Sequence, residues 1–145
     1  MCSESQHRED PDKPVEMAQP LIYVRIYSDP DGETHFSDET LTFKLVDYAP
    51  PAPPMSVSKN LNAESATFIS SPPGWYGHWH PAPRRQFMLC LTGELEVEVS
   101  DGEKRRFLPG SVVYIQDTSG QGHASRVVGS QRVYMVAIPL RDQEG

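Results

Sequence analysis

Hydrophobic and polar positions along this chain alternate at every second residue over short stretches, and no segment shows a helical period. Residues 94–99 are the clearest case. Leu95, Val97 and Val99 alternate with Glu94, Glu96 and Glu98, which predicts a strand with one face in a core and its acids in water. Residues 41–46 alternate likewise, with Leu41, Phe43 and Leu45 on one face. Residues 21–27, Leu-Ile-Tyr-Val-Arg-Ile-Tyr, are β-branched and aromatic on both faces, as suits a strand covered by a partner. Further strands are expected over residues 65–70, 75–80, 86–91, 104–108, 111–116, 123–128 and 131–140. Turn chemistry separates them at Pro30-Asp31-Gly32, Pro72-Pro73-Gly74, Thr92-Gly93, Pro109-Gly110 and Gly129-Ser130. Residues 33–40 show no clear period, and residues 49–54, Ala-Pro-Pro-Ala-Pro-Pro, read as an extended connector. About ten short strands with frequent turns imply an all-β antiparallel sandwich or barrel.

One hairpin carries a choice of register. A three-residue loop with a bulge after residues 94–99 sets Phe107 opposite Val97 and Arg106 opposite Glu98. A two-residue Asp-Gly turn would instead bring Arg106 onto the core face, because a slip of one residue exchanges the faces. The first register is expected, since it keeps the arginine in water.

Composition narrows the picture. The 145 residues make one domain, with 13 basic against 20 acidic side chains and a formal charge of −7, which argues against nucleic acid or an anionic membrane as partner. No apolar run reaches the ~18 residues that a membrane helix needs. Residues 1–18 are charged, contain Pro11 and Pro14, and are expected to form a disordered tail ahead of a single domain over residues 19–141. They lack the apolar core of a secretion signal. Two cysteines, Cys2 and Cys90, fit reduced thiols in a cytoplasmic protein better than a disulfide scaffold.

The chemistry gathers around Gly77-His78-Trp79-His80-Pro81-Ala82-Pro83-Arg84-Arg85-Gln86. On a regular strand, residues two apart share a face, so His78 and His80 would aim two imidazoles at one point. A third, His123, follows the glycine-containing loop Asp117-Thr118-Ser119-Gly120-Gln121-Gly122. Together with the amide oxygen of Gln86, these side chains are candidate ligands for one divalent transition metal: iron, manganese, nickel or zinc. Such neutral ligands would leave the full charge of the ion facing an anionic or enolisable substrate. Arg84, Arg85 and Arg126 lie close in sequence and could fix a carboxylate, although ion pairing with the acidic sheet face is the commoner role. If Gln86 points inward, so do Met88 and Cys90, as an apolar pocket floor, while Phe87, Leu89 and Leu91 point the other way. Tyr114 is either a substrate-orienting residue or a half-buried sheet aromatic. His35 either reaches the mouth of the site or is hydrogen-bonded within its own turn. Asp117 is the one acid near the proposed site, so no general base is evident.

Residues 74–126 resemble the cupin superfamily of small jelly-roll barrels. In its first motif a glycine and His-x-His are followed by a glutamate and, six residues later, a glycine. His78, His80, Gln86 and Gly93 fill those places. In its second motif a Pro-Gly turn leads through a strand to a glycine, two residues and a histidine, matched by Pro109-Gly110, Gly120 and His123. Glutamine stands for the usual glutamate, one residue further from His80, and the proline before the second glycine is missing. In its glutamine the site resembles the three-His iron dioxygenases of the superfamily. Over residues 21–139 it resembles small single-domain cupins of the conserved-barrel type. The resemblance implies an antiparallel double-sheet jelly-roll barrel with one bound metal and a small-molecule ligand. It also implies a homodimer formed through sheet faces or exchanged N-terminal strands. Cupins host enzymes and non-enzymes alike, so a metal-dependent dioxygenase or isomerase and a non-catalytic binding module both follow.

Overall fold

The alternation in residues 94–99 becomes a strand with Leu95, Val97 and Val99 buried and the glutamates between them partly exposed. It is one of twelve in a computed structural model that describes residues 19–142; the tail expected over residues 1–18 lies outside the described residues. In chain order the strands are β1 (Leu21–Ser28), β2 (Thr34–Leu41), β3 (Lys44–Val46), β4 (Met55–Val57), β5 (Thr67–Ser71) and β6 (Tyr76–His80). There follow β7 (Gln86–Thr92), β8 (Glu94–Val99), β9 (Lys104–Phe107), β10 (Val112–Ile115), β11 (His123–Val128) and β12 (Val133–Pro139). A six-stranded sheet runs β2-β1-β10-β7-β12-β5, a four-stranded sheet runs β6-β11-β8-β9, and β3 pairs with β4 alone. The larger sheets face each other. Ile26, Val113, Val133 and Met135 from the first meet Val97, Val99, Phe107 and Val127 from the second in one core. Each such side chain contributes about 1.5–3 kcal/mol through burial. Among the described residues no helix is long and apolar enough to cross a membrane.

The fold is all-β with two facing sheets, as expected, but several local expectations change. The pairing is not antiparallel throughout, because β1 lies parallel to β10. Residues 33–40, which show no period, form most of β2 and pair with β1 along its whole length. A buried threonine hid that strand: Thr34 is fully buried, and its hydroxyl donates to the Gly122 carbonyl at 2.6 Å while accepting from the Ser100 amide at 2.8 Å. The strand expected over residues 41–46 is broken, with Leu41 ending β2 and Leu45 exposed in β3. Its partner β4, three residues long behind the prolines, is too short to show a period. On β1, Tyr23 lies against the Phe87 ring at 5.5 Å and Arg25 over Tyr27 at 4.3 Å, while Leu21 and Ile22 at its start are exposed.

The hairpin register also differs. Leu95 faces Phe107, Glu96 faces Arg106 and Val97 faces Arg105, so the pairing is shifted by two residues from the expected one. The loop is Ser100-Asp101-Gly102, closed by the Val99 amide on the Glu103 carbonyl, with Gly102 at φ 99° in the left-handed region open to glycine. An even shift preserves the faces. Phe107 stays buried, and Arg105 at the sheet edge lies over the Phe36 ring at 5.1 Å.

The same hairpin loop is tied to the β1–β2 turn by His35. Its Nδ1 donates to Asp101 Oδ2 and its Nε2 to Asp29 Oδ2, both at 2.8 Å, the local bonding that was one of its two expected roles. Two carboxylate acceptors require a proton on each ring nitrogen. The bond to Asp29, then that to Asp101, raises the His35 pKa above its ordinary 6.5. The His35 bond holds Asp29 below the ordinary 3.8, and the Glu103 amide, followed by His35, does the same for Asp101. Linkage then fixes the signs. The stabilisation from His35 is complete below its unfolded value near 6.5 and disappears as pH rises through the elevated folded value. That from the two acids is present above about 3.8 and disappears as pH falls through their depressed values. Replacing His35 by Gln is therefore expected to lower the melting temperature by several degrees at pH 5.5 and by much less at pH 9. Thermal unfolding of both proteins across that range checks it, and an equal deficit at the two pH values contradicts the ion-pair account.

Candidate functional site

Inward-facing side chains of the two sheets do not fill the space between them. They leave a cavity of about 280 Å³, walled by apolar residues such as Ile26, Leu95, Val97, Phe107 and Val113. Strand parity on β7 puts Gln86, Met88 and Cys90 on this wall, while Phe87 turns outward and stacks on Tyr114 at 4.6 Å. Cys90 is a free, buried thiol whose pKa burial pushes up, so it serves as wall rather than nucleophile. Polar groups reach the cavity from few places: His80, Gln86, His123, Ser125 and Ser71.

The two histidines are brought together by β11, which starts at His123 and pairs with both β8 and β6. His80 lies opposite His123, and their rings are 4.9 Å apart at a tilt of 54°. The loop over residues 117–122 sets this up. Gly122 has φ +73°, and a Cβ there would overlap the His80 carbonyl, so only glycine lets the loop pass so close. The loop is anchored by the Ala82 amide on the Asp117 carbonyl at 2.9 Å and by the Gln121 amide on the Gly32 carbonyl at 2.9 Å. Asp117 itself is fully buried, and its Oδ2 accepts from His123 Nδ1 at 2.6 Å. His80 Nδ1 donates to the His78 carbonyl. A carbonyl and a carboxylate can only accept here, so each ring carries its proton on Nδ1. In both neutral rings Nε2 is left with a free lone pair.

His78 does not join them. On β6 the three steps from His80 to Gly77 are matched by two steps on β11, from His123 to Ser125, so β6 carries a bulge. The extra residue breaks the two-residue parity on which the His78–His80 pairing rested. Gly77 and His80 face inward, whereas His78 faces outward, its ring edge-on to Tyr76 at 4.9 Å. The expected convergence of three imidazoles is therefore not formed, and the candidate ligand set reduces to His80, His123 and Gln86. Among the described residues, the one group of three acidic, histidine or cysteine side chains with ligand atoms within 4.8 Å of one another is Asp29, Glu33 and His35. Both nitrogens of that histidine already donate to carboxylates.

The arginines also lie elsewhere. Arg84 pairs with Glu64, and Arg85 donates to Tyr114 Oη at 3.2 Å and to the Arg141 carbonyl at 3.0 Å. Arg126 donates to Glu96 at 3.0 Å on the outer face of the smaller sheet, and this bond, helped by Arg106, pulls the Glu96 pKa below its ordinary value. These are the surface pairs that the acidic stripe suggests. Arg84, Arg126 and Tyr114 do not line the cavity, since Val113 and Ile115 are the inward positions of β10; Met88 and Cys90 do. Sequence reasoning missed Trp75, whose ring lies over the Gly77 backbone and lines the cavity. It also gave Asp117 no role, although a lone acid in a loop six residues before a histidine was a usable signal.

No family model matches the chain, and no curated protein matches it. Similar solved structures include a conserved protein of unknown function from Streptococcus pyogenes, 19% identical at TM-score 0.43. The likeness covers 54% of this chain and 65%, just under two thirds, of that one. The cupin domain of a transcriptional regulator from Enterobacter cloacae is 22% identical at TM-score 0.44, covering 54% of this chain and 81% of that one. A cupin conserved-barrel domain protein from Salinispora arenicola is 24% identical at TM-score 0.43, covering 70% and 76%.

The Asp117 geometry makes a checkable statement. Asp117→Ala leaves the His123 Nδ1 proton without its partner, at a cost of about 1–3 kcal/mol measured by chemical denaturation. Nitrogen-detected NMR of the rings is expected to show the Nδ1–H form for His123 in the parent protein and a tautomer mixture in the variant. A pure Nε2–H form in the parent would contradict the geometry.

Proposed function

We propose that this protein is a metal-binding cupin acting on a small molecule, with one divalent transition metal held by His80, His123 and Gln86. The observation that carries this reading is the shared engagement of Nδ1. Two neighbouring imidazoles each have Nδ1 committed to an oxygen acceptor and Nε2 free. A buried carboxylate behind a histidine is the usual support for a metal-ligating ring. Two imidazole nitrogens and an amide oxygen suit iron, manganese, nickel or zinc, and leave coordination positions for substrate. Such an ion, when bound, supplies Lewis-acid polarisation of a substrate oxygen, which suits an isomerase or a dioxygenase. The chain itself supplies a largely apolar cavity, an orienting carboxylate at Asp117, and an amide at Gln86. A non-catalytic binding module is the second reading. It is favoured by the absence of any Asp, Glu, Lys, Arg or Tyr among the residues that line the cavity.

The same proposal includes a cytoplasmic homodimer with no nucleic-acid or membrane partner. The outer face of the six-stranded sheet supports the pairing, because Phe68, Leu91 and Tyr134 on the adjacent strands β5, β7 and β12 are 75%, 46% and 45% exposed.

Elemental analysis of untagged protein is expected to find about one equivalent of a transition metal, lost in His80→Ala and His123→Ala and kept in His78→Ala. Protein without metal that also takes none up would remove the metal reading and leave the binding module. Sedimentation is expected to give a dimer that survives removal of residues 1–18 and dissociates in the double variant Phe68→Glu, Tyr134→Glu. An unchanged dimer in that variant would place the interface elsewhere.

A further inference from the structure

The cavity wall selects its ligand by what it lacks as much as by what it offers. Every arginine once expected to fix a carboxylate is engaged outside, and the lining carries no charged acid or base apart from its two histidines. An ionised group brought into such a wall would lose its water and gain no counter-charge from the chain. The histidines sharpen the selection. With Nδ1 of His80 donating to the His78 carbonyl and Nδ1 of His123 to Asp117, the neutral rings present lone pairs at Nε2. Two lone pairs 'ask' for a hydrogen-bond donor; a carboxylate or an ether would meet them with lone pairs of its own. Away from this mouth the wall is apolar and rich in sulfur and aromatic carbon, with Met88, Cys90, Met135, Trp75 and Phe107 suited to an aromatic or terpenoid skeleton. The volume of about 280 Å³ holds roughly ten heavy atoms at the ~30 Å³ that a liquid water occupies.

We infer that the cavity takes an uncharged, largely apolar molecule of about ten heavy atoms that ends in one hydrogen-bond donor: an alcohol, a phenol or an enol. The inference concerns the same cavity in its metal-free form, where the Nε2 lone pairs that would hold an ion are open to a hydrogen-bond donor, so it names a ligand class for that cavity and does not rest on the metal. The hydroxyl of an enol or alcohol would donate its one proton to an Nε2 of the mouth and accept from the Gln86 amide N–H, while its skeleton fills the apolar floor.

The test uses the full-length chain with its methionine methyls labelled with ¹³C, in EDTA. Three probes share one skeleton: 2-phenylethanol, its methyl ether, and phenylacetate. Met88 and Met135 line the cavity, and Met55 on β4 is exposed and serves as the control. The alcohol is expected to shift the Met88 and Met135 methyls saturably and leave Met55 unmoved. It is expected to bind at least about tenfold more tightly than either the ether or phenylacetate, since each leaves the ring nitrogens without a donor. Phenylacetate or the ether binding as tightly as the alcohol overturns the inference, and so does the absence of any saturable shift at Met88 and Met135. Because EDTA is present throughout, a protein that binds no metal can still pass this test, and a metal-binding protein can fail it.

Discussion

The hydrogen bond between Asp117 and His123 is the interaction on which the candidate site depends. A carboxylate with no solvent exposure is costly to bury, by several kcal/mol in effective terms, and a single charge-assisted bond of 2.6 Å offsets only part of that. The other oxygen, Oδ1, is buried without a hydrogen-bond partner among the described residues. Replacing both partners by apolar residues could lower the free energy, whereas removing the carboxylate alone leaves the His123 proton unpaired. What the carboxylate provides instead is an imidazole with a fixed proton and a fixed plane, at the start of the stretch where β11 pairs with both β6 and β8. Around it the chain has arranged a close approach that only glycine permits at Gly122, and anchors from Gly32, Thr34 and Ala82.

Those anchors explain why the β1–β2 turn matters to a cavity it does not line. The turn holds the loop over residues 117–122 through Gln121 and through the Ser28 hydroxyl on the Ser119 carbonyl at 2.6 Å. On its other side it holds the β8–β9 loop through His35 and Asp101. Three connections are thus fastened into one end of the sandwich by hydrogen bonds rather than by apolar packing. Short polar contacts suit this task better than a hydrophobic contact, because loop backbone must satisfy its own amides and carbonyls in any case.

Much of this was legible in the sequence where one strand's own pattern decides the matter. The alternation of residues 94–99 gave β8 and its buried face, and parity from Gln86 gave Met88 and Cys90 as cavity wall. The loop that delivers His123 was visible from its glycines and polar residues. What stayed hidden depends on how two strands fit together. The bulge in β6 arises from its pairing with β11, and no periodicity within Tyr76–His80 announces it. The β8–β9 register was misjudged by two residues because loop length alone chose it, and an even error leaves every face unchanged. β2 was missed because one of its buried positions is a threonine, satisfied by Ser100 and Gly122, residues far away in sequence. The arginines near the histidines in sequence looked like substrate clamps, yet each is engaged elsewhere, with Glu64, Tyr114 and Arg141, or Glu96.

The bulge has a chemical consequence beyond the loss of one ligand. With His78 inside, three imidazoles would crowd the mouth and the cavity behind it would matter little. With His78 outside against Tyr76, the mouth holds two rings and an amide, and Gly77 leaves room for the Trp75 ring to lie over the apolar space. Inserting one residue in β6 therefore exchanges a polar third ligand for an aromatic wall. It moves the character of the site from a cation held by many protein donors towards an apolar container with a two-nitrogen head. The absence of charged side chains from the lining follows the same direction, since a sparse ligand set around an ion leaves substrate groups to complete its coordination. Selectivity at such a site would then be decided by the shape and hydrogen-bonding sense of the cavity as much as by any ion it held.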